Sequence, residues 1–372
     1  MAWRTDNLSV ALAPLKRSFS PRLVAKPNWV EPTPGECNGE ALVSFSYAVS
    51  RILDAYPALD PKLVKDQLEY GSYASVKDRF IYIEVYKAAS TTMRILLREL
   101  YASAEQKLVP GFNGDTLSSI YASVPWTRDC VPLPPITALE DKDQRELLEA
   151  PDVLRFTIVR NPYTRLVSAW RNKVFLCDPW IDDVYGAVRG EAPPSGQQYP
   201  VEFAEFVSYL ESTVGRVWDA HWRRQVDLTF PKSLSFTHIG KVEILQETIR
   251  ILARQLKYGL HMQLPHINEV IITPSPKYSA ALAARVYALY EEDFANFGYD
   301  AQSWPQDRED KPCLVSESCF LDYVMARNLF ITRLNRECAR LRQEYDAVYR
   351  FSLARVQNKL RAIIRPGQSR RI

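Results

Sequence analysis

The sequence predicts an α/β fold with a central parallel sheet flanked by helices. Three observations carry that expectation. Strand-like runs alternate in chain order with helical patterns, at 79–86 and 90–100, at 154–159 and 162–173, and at 235–239 and 244–256. The first two runs are rich in β-branched and aromatic residues, and each delivers a cation, Lys87 or Arg160, to its carboxyl end. The composition, 47% apolar and 24% charged over 372 residues, is that of an ordinary globular chain.

Residues 1–40 hold five prolines and little periodicity, so an irregular arm is expected there, followed by a helix from Gly39 to Ala58. Arg79-Phe-Ile-Tyr-Ile-Glu-Val-Tyr86 is a buried strand by pattern. Ser90 to Leu100 follows as a helix in which Ile95, Leu96 and Leu100 share a face. A proline-rich segment, Val124 to Pro135, interrupts the alternation. Leu154 to Val159 is the second strand, and Pro162 pre-sets the turn into a helix that carries Leu166 to Lys173. Residues 178–200 form a polar loop, Ser235 to Ile239 a third strand, and Ile244 to Leu256 a helix.

From Cys319 to Ile364 there is no glycine or proline. Apolar side chains recur at Leu334, Leu341, Tyr345 and Val348, then with a one-residue slip at Tyr349, Leu353, Val356, Leu360 and Ile363. One long amphipathic helix or two in series is expected, with self-association through it as one use of its apolar stripe. Residues 333–372 carry eleven Arg/Lys against three Asp/Glu, a net of +8. The whole chain is +3, so the remainder is −5.

Composition also excludes. Thirteen glycines in 372 residues is about half of ordinary usage. No two are spaced GxG, and Gly240-Lys241 has neither an upstream glycine at Walker spacing nor a following Ser/Thr, so dinucleotide and Walker A loops are absent. The near-neutral average argues against a nucleic-acid partner. No apolar run approaches the about 18 residues of a membrane span, and the N-terminus lacks a continuous apolar stretch. A soluble, cytoplasmic chain with six free cysteines is expected. Four scattered histidines and no CxxC or HExxH leave no metal site.

Two segments carry chemistry. In Lys87-Ala88-Ala89-Ser90-Thr91-Thr92 a cation at a strand end meets hydroxyl residues opening a helix. Backbone N–H groups and the helix dipole favour an anion there, although an N-capped helix with an incidental lysine has the same pattern. In the second, Arg160 ends a strand and Ser168 lies eight residues on. A guanidinium with a hydroxyl clamps phosphate, and an Arg–carboxylate pair at a helix start is the plainer alternative. Two strand-end anion sites on one sheet suit a ligand with two separated phosphate groups.

These segments resemble the 5′-phosphosulfate loop and 3′-phosphate site of sulfotransferases that use 3′-phosphoadenosine 5′-phosphosulfate (PAPS). The pattern R-[DN]-P-x-x-R-x-x-S-x-[aromatic]-x-x-[KR] runs from Arg160 to Lys173. The chain is most similar to the carbohydrate sulfotransferases of chondroitin and HNK-1 type. Val201–Leu210, His221-Trp222-Arg-Arg-Gln225, Phe236–Glu243 and Val286–Asp300 resemble further ordered segments of that family. The resemblance implies a P-loop-like sulfotransferase domain at 75–300, after an N-terminal arm and helix at 1–74 and before a basic helical extension at 301–372. It implies PAPS as co-substrate, a hydroxyl acceptor of carbohydrate or glycolipid type, and no metal. Lys87 would neutralise the bridging oxygen, the 87–92 loop would hold the phosphosulfate, and Arg160 with Ser168 the 3′-phosphate.

The general base stays open in sequence. No histidine lies between Lys87 and Arg160. Asp129 and His221 are the two candidates, each with a structural alternative: a turn carboxylate beside Arg128, or an acceptor contact. A catalytically degenerate nucleotide-binding scaffold and an ATP-dependent kinase are the other classes, the kinase disfavoured by the missing glycines.

Overall fold

The computed structural model describes residues 45–101, 131–178, 184–190, 200–255, 276–306, 324, 327–332 and 334–347. Asp129, the 1–44 arm, the start of the helix expected from Gly39 and the sequence pattern after 347 lie outside these residues.

Among the described residues the sheet has four strands in the order β1 (Ser72–Ser75), β2 (Phe80–Ile83), β3 (Leu154–Val159) and β4 (His238–Lys241). β2, β3 and β4 are parallel, with Tyr82 beside Phe156 and Phe156 beside His238. β1 runs antiparallel to β2 and forms one edge. Sequence pattern misses it because Ser-Tyr-Ala-Ser is four residues long, half polar, and abuts a helix with no turn between them.

Among the described residues up to 306 the α-helices are α1 (Tyr47–Ala55), α2 (Pro61–Gly71), α3 (Ser90–Tyr101), α4 (Asp141–Glu149), α5 (Pro162–Ala169), α6 (Val184–Arg189), α7 (Phe203–Ser212), α8 (Gln225–Thr229), α9 (Pro231–Leu234), α10 (Leu245–Gln255) and α11 (Ala280–Phe297). α6 lies inside the expected 178–200 loop, and α2 and α4 were not anticipated.

β2 shows why its run is continuously apolar. Phe80 and Tyr82 pack on one face with Met93, Leu96 and Leu97 of α3. Ile81 and Ile83 pack on the other with Ile52 of α1, Val64 and Leu68 of α2, and Leu147 and Leu148 of α4. Side chains alternate across a strand, so a strand covered on both faces has no polar phase. The buried face of α3 is Met93, Leu96 and Leu97, rotated from the expected Ile95, Leu96 and Leu100.

The third strand starts three residues later than expected. Phe230 and Ser235 both adopt left-handed backbone, at φ 48° and 42°, ending α8 and α9 in turn. Extended pairing begins only at His238, once that turn is complete. At Gly240 the helix α10 comes so close that a Cβ would meet Thr248 Oγ1 at 2.6 Å, which explains the glycine in Gly240-Lys241.

Residues 334–347 are helical, as expected for the C-terminal pattern, and Leu334, Leu341 and Tyr345 are exposed there. Asn328 Nδ2 donates to the Leu176 carbonyl at 2.7 Å and joins the preceding helical turn to the α5–α7–α11 core. Among the described residues no helix is long and apolar enough to cross a membrane.

Candidate active site

The site lies at the carboxyl ends of β2 and β3, where parallel strands direct their following loops to the same side. After β2 the chain enters α3 through Glu84 to Ala89 without a glycine. Lys87 and Ala89 take left-handed backbone at φ 66° and 60°. Such a conformation costs an L-residue about 1–2 kcal/mol, so the surroundings must hold it. Val85 and Ala88 are fully buried, and Ala88 N–H donates to the Val85 carbonyl at 3.2 Å.

Beneath this loop the buried Glu84 carboxylate accepts from Arg94 of α3, Nη2 at 2.5 Å and Nε at 3.1 Å, and from the Tyr73 hydroxyl at 3.1 Å. The Glu84 N–H donates to the Gly71 carbonyl at 2.7 Å. This buried pair joins the end of β2 to α3 across the loop. Arg94→Met leaves Glu84 as an uncompensated buried charge and is expected to destabilise the fold by about 3–5 kcal/mol. Urea unfolding checks it, and a loss under 1 kcal/mol would contradict the bridging role.

The first N–H groups of α3 have no acceptor within the helix, as at every helix start. The hydroxyls of Ser90 and Thr92 make no hydrogen bond within the described residues, and neither does Lys87 Nζ. Anion-ready donors therefore cluster at one helix N-terminus.

After β3 the chain turns at Asn161, whose side chain accepts from the Tyr163 N–H at 3.0 Å and caps α5. Arg160 reaches back toward the first loop. Its Nε donates to Thr164 Oγ1 at 3.1 Å and its Nη1 to the Lys87 carbonyl at 3.4 Å, while Nη2 remains open within the described residues. Glu243 accepts from the Asn161 N–H at 2.9 Å and from the Tyr299 hydroxyl at 3.0 Å, a structural assignment for that carboxylate.

Arg165, the second arginine of the 160–173 pattern, is fully buried. It donates to three carbonyls, those of Tyr86 at 2.9 Å, Arg223 at 2.7 Å and Ala220 at 3.2 Å. One guanidinium thus ties the loop before Lys87 to the loop that carries His221. Past α5 the helix widens into a π-helical turn, Trp170–Val174, of the kind common at functional sites. Lys173 on this turn donates to Asp178 Oδ2 at 2.6 Å.

His221 packs its ring against Tyr86, with centroids 5.0 Å apart. Its Nδ1 lies 2.6 Å from Asp219 Oδ1, which also accepts the His221 backbone N–H at 2.8 Å. An ionised carboxylate only accepts, so Nδ1 carries the proton and Nε2 is left as the basic nitrogen. Tyr290, where α11 kinks, donates its hydroxyl to the Trp222 carbonyl at 2.5 Å and steadies the same loop.

The electrostatics follow from crowding cations in a half-enclosed site. Burial, then the charges of Lys173 and Arg160, push the Lys87 ammonium down to about 7. Burial lowers His221 to about 4 against the opposing Asp219, and Lys173 and Lys87 add to the lowering. Burial raises Asp219, but the His221 hydrogen bonds and Lys173 outweigh it and hold the carboxyl below its ordinary range. Burial also lowers Arg160, with Glu243 opposing.

The structure brings the loop from Lys87 to Thr92, Arg160 and His221 to one place. Ser168 stands half-buried on α5, its hydroxyl not hydrogen-bonded within the described residues. Asp219, Lys173 and Arg165 were not anticipated as site residues. Lys173 and Arg165 stand inside the sequence pattern, and Asp219 sits two residues before His221, the spacing of an Asx turn. Among the described residues no group of three His, Cys, Asp or Glu side chains converges as metal ligands.

Residues 73–300, more than half of the chain, match the model of the Sulfotransferase family. Carbohydrate sulfotransferase 12 of Xenopus laevis is 30% identical over 168 residues, 39% of this chain and 40% of that protein. Carbohydrate sulfotransferase 10 of Homo sapiens is 26% identical over 188 residues, 45% of this chain and 52% of that protein. Carbohydrate sulfotransferase 11 of Rattus norvegicus is 26% identical over 169 residues, 41% of this chain and 48% of that protein. The chain thus spans about half or less of the length of these curated relatives. No solved structure matches it.

Proposed function

We propose, because this chain belongs to the sulfotransferase family, that it moves a sulfuryl group from PAPS to a hydroxyl of a carbohydrate. The observation that carries this reading is the convergence of Lys87, Arg160 and Lys173 with the Asp219–His221 pair at adjacent strand ends. The donor set suits the co-substrate: within the described residues Lys87 Nζ, Arg160 Nη2 and the hydroxyls of Ser90, Thr92 and Ser168 are open for two anionic groups. Ser90, Thr91, Thr92 and the loop backbone at Ala89 would hold the 5′-phosphosulfate, the Ala88 N–H being engaged by the Val85 carbonyl, and Arg160 with Ser168 the 3′-phosphate.

In the transfer, the acceptor oxygen bonds to sulfur while the bridging S–O bond breaks, its electron pair staying on the 5′-phosphate. Lys87 neutralises the charge developing on that oxygen, and His221 Nε2 takes the acceptor proton. Asp219 holds the ring in the required tautomer and stabilises the imidazolium that forms. Asp129 lies outside the described residues, and the geometry around His221 favours the histidine. Transfer of labelled sulfate from PAPS to a glycan panel tests the reading. Binding of 3′-phosphoadenosine 5′-phosphate (PAP) without any transfer would favour a degenerate scaffold instead.

The depressed Lys87 pKa has a measurable consequence. In the free protein Lys87 is mostly neutral at pH 8, above its value of about 7. A bound phosphate favours the charged form, so PAP binding at pH 8 is expected to take up close to one proton. Calorimetry in two buffers of different ionisation enthalpy reads this directly. Uptake retained in Lys87→Met would assign the proton elsewhere.

A further inference from the structure

The backbone of Arg160 is held by a side chain rather than by a strand. The β3–β4 ladder ends at Val159 beside Lys241, one residue short of Arg160. Beyond it the Arg160 N–H donates to Gln225 Oε1 at 2.9 Å, and Gln225 Nε2 donates to the Arg160 carbonyl at 2.9 Å. A primary amide bonds both polar groups of one residue, as a neighbouring strand would.

Gln225 is itself anchored. It is fully buried at the start of α8, and its N–H donates to Asp293 Oδ2 at 2.8 Å. The Val226 N–H donates to Asp293 Oδ1 at 2.9 Å. Asp293, on α11, is fully buried and spends both oxygens on this turn. Three segments far apart in sequence therefore meet in one chain of hydrogen bonds that ends on the backbone of a single arginine. The short reach of Arg160 to Thr164 and Lys87 then sets where its guanidinium stands.

We propose that Gln225, held by Asp293, is a positioning residue for Arg160 and thereby sets the preference for a nucleotide bearing a 3′-phosphate. This rests on the reading of the site given above. Guanidinium–phosphate recognition is geometric, and a misplacement of about 1 Å in such a clamp costs on the order of 10²-fold. Gln225 touches no substrate, so its effect must pass through Arg160.

The test compares PAP with adenosine 5′-phosphate, which lacks the 3′-phosphate, in Gln225→Glu and Gln225→Met. Gln225→Glu keeps the shape but sets a carboxylate against the Arg160 carbonyl; Gln225→Met keeps the size and leaves both backbone groups unpaired. In each, PAP affinity is expected to fall about 10–100-fold, with adenosine 5′-phosphate affinity changed less than about 3-fold. Asp293→Asn should lower the same ratio, because its NH₂ cannot accept the second N–H. A parallel loss for both nucleotides, or an unchanged ratio, overturns the proposal.

Hydrogen exchange at the Arg160 amide gives a second readout that needs no nucleotide. Protection in the wild type that is lost in Gln225→Met, with the Phe156 and Ile158 amides still protected, supports the clamp. Unchanged protection at Arg160 overturns it. If the wild type binds neither nucleotide, the PAPS reading falls, and the exchange data still decide the clamp.

Discussion

Lys87→Ala is expected to lower the turnover number for sulfuryl transfer by at least about 10²–10³-fold, the scale of removing one preorganised charge-stabilising donor. The loss should appear in the turnover number more than in PAP affinity. On the proposed reading the charge Lys87 meets develops fully only as the bridging bond breaks, and Arg160 and the α3 N-terminus would still hold the phosphates. The variant should fold, because Lys87 Nζ makes no hydrogen bond within the described residues and alanine tolerates the φ of 66° no worse than lysine. Steady-state transfer from labelled PAPS, with PAP affinity measured beside it, checks both parts. A variant at full rate would remove Lys87 from the mechanism.

His221→Ala is expected to cost about 10²–10⁴-fold, the range for a lost general base. The pH dependence identifies the role more sharply. His221 acts when neutral, so kcat/KM rises as pH rises through about 4. Lys87 acts when charged, so kcat/KM falls as pH rises through about 7. The free enzyme should therefore give a bell with limbs near those values. In the turnover number both limbs should move to higher pH, because bound phosphosulfate favours the charged form of each group. His221→Ala should keep the alkaline limb and lose the acid one. An acid limb that survives the substitution would point to another base. Asp219→Asn should reduce the rate as well, since its amide no longer favours the Nδ1–H tautomer.

Much of this site was legible one segment at a time. A strand ending in Lys87 or Arg160 is readable because a buried strand has a strong apolar signature and a cation stands out at its end. Pro162 is local turn chemistry, confined to neighbouring residues, while the Asn161 cap came from the structure. The 160–173 pattern contained Arg165 and Lys173 but assigned neither a role, since a pattern does not say which members face the site. Arg165 proves to be a buried tie between two loops, its Arg223 partner lying 58 residues further along the chain. The short edge strand β1 escaped because four half-polar residues carry little periodicity, whereas α2 and α4 are amphipathic and α2 opens with Asp60 and Pro61, local signals that a linear chain does display.

By itself, the sequence determined the α/β alternation, the glycine-free loop from Lys87 to Thr92, the two strand-end cations and the likeness that pointed to sulfuryl transfer. These depend on residue type and near spacing, which a linear chain displays. Only the tertiary structure set Asp219 at His221 Nδ1 and crowded Lys87 and Lys173 nearby, the geometry on which the proposed role of His221 rests. It alone revealed that Gln225 and Asp293 carry the backbone of Arg160. Burial and charge proximity exist only once distant segments pack together, so the shifted pKa values and the clamps of this site are properties of the fold.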